Sequence, residues 1–261
     1  MHPILFSLGR FDFFTAPIFA GLSALAAYLY YARLRPASLT DEEFWELMFA
    51  LAVGVIVGGV VLYCFAYGKG IAANLRTLFI RHRNPGGSFF GSLLGAAALA
   101  YVFCRARKKS FAQIADPLGP ASLLALFVMR IGCLLNGCCY GLPTDRPWGI
   151  IFTDPRCNVR DSWLGRPLHP TQVYEAAGSL LIFLLVHRVF LRRVREGRAP
   201  EGSAFAWSAG LYAALRFGLD FLRGGDAGIL TPLGLTTSQL ISLAILAAIA
   251  AIFRPRAYKP A

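Results

Sequence analysis

Four ionisable side chains fall inside long apolar runs of this sequence: Arg130, Glu175, Arg216 and Asp220. Charge within a lipid-facing helix is expensive, and it is kept where it pairs, moves an ion or holds a substrate. Arg130 and Arg216, joined by Arg223, suit a phosphate, because the guanidinium offers a planar fork of donors and stays charged at any physiological pH. Arg216, Asp220 and Arg223 stand at i, i+4 and i+7, so a helix carries them on one face. His169, Gln172 and Glu175 lie together in His169-Pro170-Thr171-Gln172-Val173-Tyr174-Glu175, with Pro170 suited to a first helical turn. His169 and Glu175 are the groups there able to take a proton. The alternative is that Arg216 pairs with Asp220, and Arg130 with Glu175, simply as folding glue; several such groups at one depth favour a site.

The elements that must position these residues are transmembrane helices. The chain has 261 residues, of which 56% are hydrophobic and only 15% charged, against roughly a quarter charged in ordinary soluble domains. A span needs about 20 mostly apolar residues, and segments near 13–32, 44–67, 88–104, 117–136, 171–191, 203–222 and 236–253 qualify. The expectation is an all-α, polytopic membrane protein of about seven helices, forming a single transmembrane domain over 1–261, with a small ordered outer-face cap at about 137–168 between the fourth and fifth helices. The formal net charge of +12 does not point to nucleic acid, since the basic residues sit between apolar runs and not along a soluble stripe. Arg33 and Arg35, Arg105 to Lys109, Arg188 to Arg198, and Arg254, Arg256 and Lys259 follow alternate helices, so the positive-inside rule puts the N-terminus outside and the C-terminus in the cytoplasm. One loop, with Lys69, Arg76, Arg81 and Arg83, dissents. The first apolar run lacks a basic lead and a small-residue cleavage site, and is read as a retained helix. This topology brings Arg130, His169, Gln172, Glu175, Arg216, Asp220 and Arg223 to the outer leaflet, where a phospholipid headgroup is the economical ligand.

Cys133, Cys138, Cys139 and Cys157 cluster at or just beneath the same face, where disulfides persist. Their spacing is unlike a C-x2-C knuckle, so neither a metal nor a cofactor is expected, zinc with His169 as an extra ligand being the weaker reading. A disulfide of Cys157 with Cys138 or Cys139 is preferred, and thiols that accept or shuttle lipid remain an alternative. Cys64 and Cys104 read as packing residues.

Ordered short motifs run through nearly the whole chain: Phe6-Ser7-Leu8-Gly9, Gly58-Gly59, Gly87-Ser88-Phe89, Ser110-Phe111-Ala112-Gln113-Ile114-Ala115-Asp116, Arg130-Ile131-Gly132, Asn136-Gly137, the run His169 to Glu175, the Arg216, Asp220, Arg223 stripe, and Ser238-Gln239. In this the chain resembles the bacterial prolipoprotein diacylglyceryl transferase family. The resemblance implies a plasma-membrane enzyme that moves diacylglyceryl from phosphatidylglycerol, or a similar anionic phospholipid, to the cysteine thiol of a prolipoprotein. It also implies that Arg130, Asn136, Gly137, Gln172, Arg216, Asp220 and Arg223 hold substrate, while His169, Glu175 and Arg216 serve the chemistry; the His169-Pro170 step has a structural reading too. Phe90 stands where the family has a histidine followed by two glycines, in Phe89-Phe90-Gly91-Ser92. Val60 replaces an arginine, Cys133 an asparagine and Cys138 a glutamate, and a tyrosine is lost near Ala16. Three readings stay open: the family reaction retained, a headgroup enzyme with another acceptor, or a lipid- or lipoprotein-binding paralogue without chemistry.

Overall fold

The computed structural model describes residues 3–8, 11–67, 89–224 and 234–252. The basic positions Lys69, Arg76, Arg81 and Arg83, the C-terminal Arg254, Arg256 and Lys259, and the Gly87-Ser88 step lie outside the described residues. Those described are mostly helical: α1 (Thr15–Leu34), α2 (Asp41–Tyr67), α3 (Phe89–Ala106), α4 (Phe111–Asn136), α5 (Thr171–Leu185), the single turn α6 (Arg192–Arg195), α7 (Ser203–Leu219) and α8 (Thr237–Ile252). Four helices among them are long and apolar enough to cross a membrane, Thr15–Leu34, Asp41–Cys64, Phe111–Asn136 and Thr171–Arg195, and two shorter ones, Gly91–Ala106 and Thr237–Ala251, are also apolar.

Two helix starts precede the expected positions, for local reasons. α2 opens at Asp41 because Thr40 and Glu43 form a capping box: the Thr40 amide donates to Glu43 Oε2 at 2.9 Å and the Glu43 amide to Thr40 Oγ1 at 3.2 Å. α4 opens at Phe111, where the Gln113 amide donates to Ser110 Oγ at 3.3 Å, and it runs on through Pro117 and Pro120. The all-α expectation also omitted two small strand pairs. β1 (Ile4–Leu8) runs antiparallel to β2 (Phe11–Phe14), with the Phe6 and Phe13 rings stacked 4.5 Å apart, and β3 (Ile150–Ile151) pairs with β4 (Pro167–Leu168). Such short strands carry too few residues for a period-2 pattern to show.

The chain divides into two compact units, Arg35–Ile114 and Met1–Leu34 with Ala115–Ala261. In the first, α2 and α3 lie against each other along Gly54-Val55-Ile56-Val57-Gly58 and Gly91-Ser92-Leu93-Leu94-Gly95. A methyl group on Gly54 would meet the Gly95 carbonyl oxygen at 2.5 Å, and one on Gly58 would run into that of Gly91. The paired small-x-x-x-small stripes thus let two backbones touch, which is how helices associate in lipid without a hydrophobic drive. At the polar end of this unit, Lys109 Nζ meets Glu43 Oε2 at 2.8 Å and Arg107 Nε donates to Glu46 Oε2 at 2.9 Å.

In the second unit, α5 continues through a π-helical stretch, Val186–Leu191, into α6. His187 Nδ1 lies 2.7 Å from Tyr30 Oη of α1, and Phe190 stacks on Trp207 of α7 at 4.4 Å. The start of α7 is capped from another helix: Asp116 of α4 accepts from the Gly202 amide at 2.7 Å, Ala204 at 2.8 Å and Phe205 at 3.2 Å. A carboxylate at a helix N-terminus satisfies donors that have no partner within the helix and meets the positive end of its dipole. Between α4 and α5 the chain forms its own buried cluster of Tyr140, Phe152, Cys157, Val159 and Leu168, with Ile150, Trp163 and Leu164 against it.

Candidate active site

Each helix of the second unit that carries an expected site residue brings it to one carboxylate. Arg130, in the last turns of α4, places Nη2 3.0 Å from Glu175 Oε1 and Nε 2.9 Å from Oε2. Glu175 lies one turn into α5 and is 1% exposed. Arg216 Nη1 reaches Glu175 Oε2 at 3.5 Å, and Arg223 Nη1, just past the end of α7, at 3.7 Å. Arg216 Nη2 also meets Asp220 Oδ1 at 2.9 Å, and Asp220 Oδ2 accepts from Thr236 Oγ1 at 2.5 Å. Gly178 on α5 lets α7 come this close, since a methyl there would meet Leu215 at 2.5 Å.

Three guanidiniums face two carboxylates here, leaving one positive charge unbalanced in a nearly dry setting. The pairing is also incomplete. Arg130 Nε, Arg216 Nη1 and Arg223 Nε are buried without an aligned hydrogen-bond acceptor among the described residues, although Arg130 Nε and Arg216 Nη1 stand close to Glu175. Buried polar atoms are nearly always bonded, so three unspent guanidinium donors in one cluster mark a place for an anionic oxygen ligand. The glue reading explains the Arg130–Glu175 and Arg216–Asp220 pairs, but not a third arginine or the unspent donors.

Tyr212 completes the cluster and was not foreseen: its hydroxyl donates to Glu175 Oε1 at 2.7 Å. It stands at i−4 from Arg216, so the helical period that linked Arg216 to Asp220 also pointed to it. Thr236 and Ser238, whose Oγ lies 3.5 Å from Arg216 Nη2, join from the start of α8, where the Gln239 amide group accepts from the Thr236 amide at 2.9 Å.

The remaining expected residues lie on the adjoining stretches of chain, at the end of α4 and the start of α5. Gln172 is 1% exposed and donates through Nε2 to the Cys138 carbonyl at 2.7 Å. Asn136 and Gly137 end α4: Gly137 takes φ 69°, with the Gly137 amide on the Leu134 carbonyl at 3.2 Å and the Cys138 amide on that of Cys133 at 3.1 Å, a Schellman turn that needs glycine. His169 is bound into the segment before α5. Its backbone pairs with Gly141 and Leu142, and its Nδ1 lies 3.3 Å from Tyr174 Oη, which accepts from Trp148 Nε1 at 2.7 Å. No described polar contact ties His169 to the arginines.

The disulfide expectation is corrected. All six cysteines are free, and Cys157 is buried in the apolar cluster, with its Sγ packed where Gly137 has no side chain. The thiols that do converge are those of Cys133, Cys138 and Cys139. Cys64 and Cys104 are buried within their helices.

The chain matches the prolipoprotein diacylglyceryl transferase family over residues 3–254. It is 32% identical over 230 residues to a phosphatidylglycerol–prolipoprotein diacylglyceryl transferase of Geobacter sulfurreducens, covering 87% of this chain and 84% of the relative. A protein of the same description from Clostridium tetani is 30% identical over 247 residues, 93% of each chain. One from Idiomarina loihiensis is 33% identical over 231 residues, covering 85% of this chain and 82% of its own length.

Proposed function

The chain belongs to the prolipoprotein diacylglyceryl transferase family, and on that premise we propose that it is a bacterial plasma-membrane enzyme transferring diacylglyceryl from phosphatidylglycerol to a prolipoprotein cysteine. The observation that carries the site assignment is the incompletely paired cluster of Arg130, Arg216 and Arg223 around Glu175. A phosphodiester bears one negative charge, which balances the one in excess, and its free oxygens take the unspent donors.

In the transfer, the cysteine sulfur forms a bond to the glyceryl carbon, the carbon–oxygen bond to phosphate breaks, and glycerol phosphate leaves with the electron pair. Charge grows on the leaving phosphate, so arginines already aimed at it stabilise the transition state more than the ground state. Arg216, held by Asp220 and Ser238, and Arg223 serve that role, and Arg130 holds the donor lipid. Gln172, Asn136 and Gly137 shape the adjoining wall. Glu175 and Tyr212 fix the guanidinium planes.

The thiol proton needs an acceptor, and Phe90 offers none. Glu175 serves as the counter-ion of the arginines, with Oε1 accepting from Arg130 and Tyr212. His169, whose Nε2 has no described partner, is the remaining acceptor in this reading. The topology that goes with it is a single transmembrane domain of seven spans, with the N-terminus outside, the C-terminus cytoplasmic and residues 137–168 forming an outer cap.

The test is complementation of bacteria depleted of their own transferase, followed by prolipoprotein lipidation in phosphatidylglycerol vesicles. Weak activity in the parent, improved by Phe90→His and abolished by His169→Asn, is expected; losing a general base typically costs on the order of 10² to 10⁴ in rate. Lipid binding without any turnover, even with Phe90→His, favours a binding paralogue. Full activity untouched by His169→Asn refutes the assigned proton path.

A further inference from the structure

Cys133, Cys138 and Cys139 take no part in the phosphate cluster, yet their sulfur atoms all lie within 4.8 Å of one another. All three are free thiols. The sequence spacing argued against a metal because it is unlike a C-x2-C knuckle, and adjacent side chains such as those of Cys138 and Cys139 point apart where a chain is extended. Here the chain reverses at Gly137 and Cys139 itself takes a left-handed φ of 61°, uncommon for a residue with a side chain. The reversal gathers the neighbouring thiols beside Cys133 of the last turn of α4.

This backbone is held from α5. Thr171 Oγ1 donates to the Cys139 carbonyl and Gln172 Nε2 to the Cys138 carbonyl, each at 2.7 Å. Two side chains of one helix start therefore fix the two carbonyls that set the thiol directions. The same Gln172 leaves its Oε1 buried and without a partner among the described residues. On the other side, Arg130 Nη1 lies 3.6 Å from Cys133 Sγ, putting a positive charge beside a sulfur that must become a thiolate to bind a metal.

We propose that Cys133, Cys138 and Cys139 form a binding site for a thiophilic d10 cation, Cu+ or Zn2+. Soft sulfur ligands select these ions over the hard divalent cations. A metal–sulfur bond of about 2.3 Å sets three sulfurs about 4 Å apart in a trigonal arrangement, so small side-chain rotations close the observed cluster on an ion. Binding displaces three protons to solvent and leaves an anionic thiolate complex, which Arg130 partly neutralises. A trigonal sulfur set suits Cu+; Zn2+ would take a fourth donor, from water or Gln172 Oε1. Because Arg130 also grips Glu175, an ion here adjoins the phosphate cluster, but its binding requires no lipid and no turnover.

The experiment uses the full chain purified in detergent under anaerobic, reducing conditions. It is titrated with Cu+ and, separately, Zn2+ against a chromophoric chelator, and thiol alkylation is mapped by mass spectrometry with and without the ion. One ion per chain is expected, with protection of Cys133, Cys138 and Cys139. Cys138→Ser and Cys139→Ser each weaken binding on the order of 10-fold or more, Gln172→Ala about 10-fold through its hold on Cys138, and Cys157→Ser leaves it unchanged. Binding of either ion in this pattern supports the site. Uptake of neither ion by the reduced parent, or equal binding by a Cys138→Ser/Cys139→Ser double variant, overturns it. Protection mapping in the parent reads the site even where a serine variant fails to fold.

Discussion

Glu175 is the shared counter-ion of three arginines, at 2.9, 3.5 and 3.7 Å, and Glu175→Gln removes its charge while keeping its shape. The variant opposes three guanidiniums with Asp220 alone, so the unbalanced charge rises from one to two. A unit pair at 4 Å and an effective dielectric of 20 is worth about 4 kcal/mol, and removing one partner of a buried pair costs about 3–5 kcal/mol. The amide also turns a donor toward donors. A loss of about 3–5 kcal/mol is therefore expected in lipid-free detergent. A phosphodiester restores one negative charge, so phosphatidylglycerol should recover more stability in the variant than in the parent; a ligand at 100 times its Kd contributes about 2.7 kcal/mol, and the variant's larger excess charge tightens that Kd. Unfolding followed by tryptophan fluorescence, with phosphatidylglycerol or uncharged diacylglycerol added, measures both effects. Parent-like unfolding of Glu175→Gln, or equal phosphatidylglycerol shifts in the two proteins, would refute the shared counter-ion.

Asp116→Ala strips the three-amide cap from α7 and should cost about 1–2 kcal/mol, with faster amide exchange at Gly202, Ala204 and Phe205, while Asp116→Asn retains part of it; unchanged exchange at those amides counts against the cap. Gly58→Leu should unfold the α2–α3 pair, whereas Gly21→Leu, with nothing within 4 Å of its new Cβ, should melt like the parent; equal melting of the two variants removes the glycine-seam argument. Arg216→Lys should restore little of the phospholipid binding lost in Arg216→Ala, because an ammonium cannot fork; parent-like binding by the lysine variant argues for bare charge. Arg156 holds the Asp154 carboxyl down to about 2 from its usual 3.8, so their contact contributes fully above about pH 4 and fades as pH falls through about 2. Exchange at the Arg156 amide, which donates to Asp154 Oδ1 at 2.9 Å, should stay slow at pH 4 and rise below it; a rise already at pH 5 contradicts that assignment.

Much of this architecture is legible because lipid imposes a coarse rule: long apolar runs become helices, and a charge inside one needs a partner. That rule located Arg130, Glu175, Arg216 and Asp220, and helical periodicity aligned the α7 stripe. It said nothing of where the helices touch. The Asp116 cap joins residues far apart in sequence, and the α2–α3 seam shows as two small-residue repeats only once Gly54 is set against Gly95. Helix starts were misjudged where short-range chemistry overrode hydropathy: the Thr40–Glu43 capping box lies among polar residues that a hydropathy window discards, and the turn from Phe111 to Asp116 precedes the apolar run that begins at Pro117. The cysteines were misread for a different reason. Spacing does not show that Cys157 packs in an apolar cluster against Gly137 and forms no disulfide, nor that a left-handed turn gathers the Cys133, Cys138 and Cys139 thiols.

The same geometry separates holding from proton transfer. Glu175 Oε1 accepts from Arg130 and Tyr212, while Oε2 stands among the arginines as their counter-ion. Glu175 is the shared counter-ion of three guanidiniums, so its place in the geometry is to hold them together. Tyr212 fits that role: its hydroxyl donates to the carboxylate and helps fix its plane. In the proposed reaction, substrate thiol deprotonation is assigned to a group outside the cluster. His169, bonded at Nδ1 to Tyr174 and through it to Trp148, has its ring oriented from one side and no partner at Nε2 among the described residues, an arrangement compatible with the base role proposed for it.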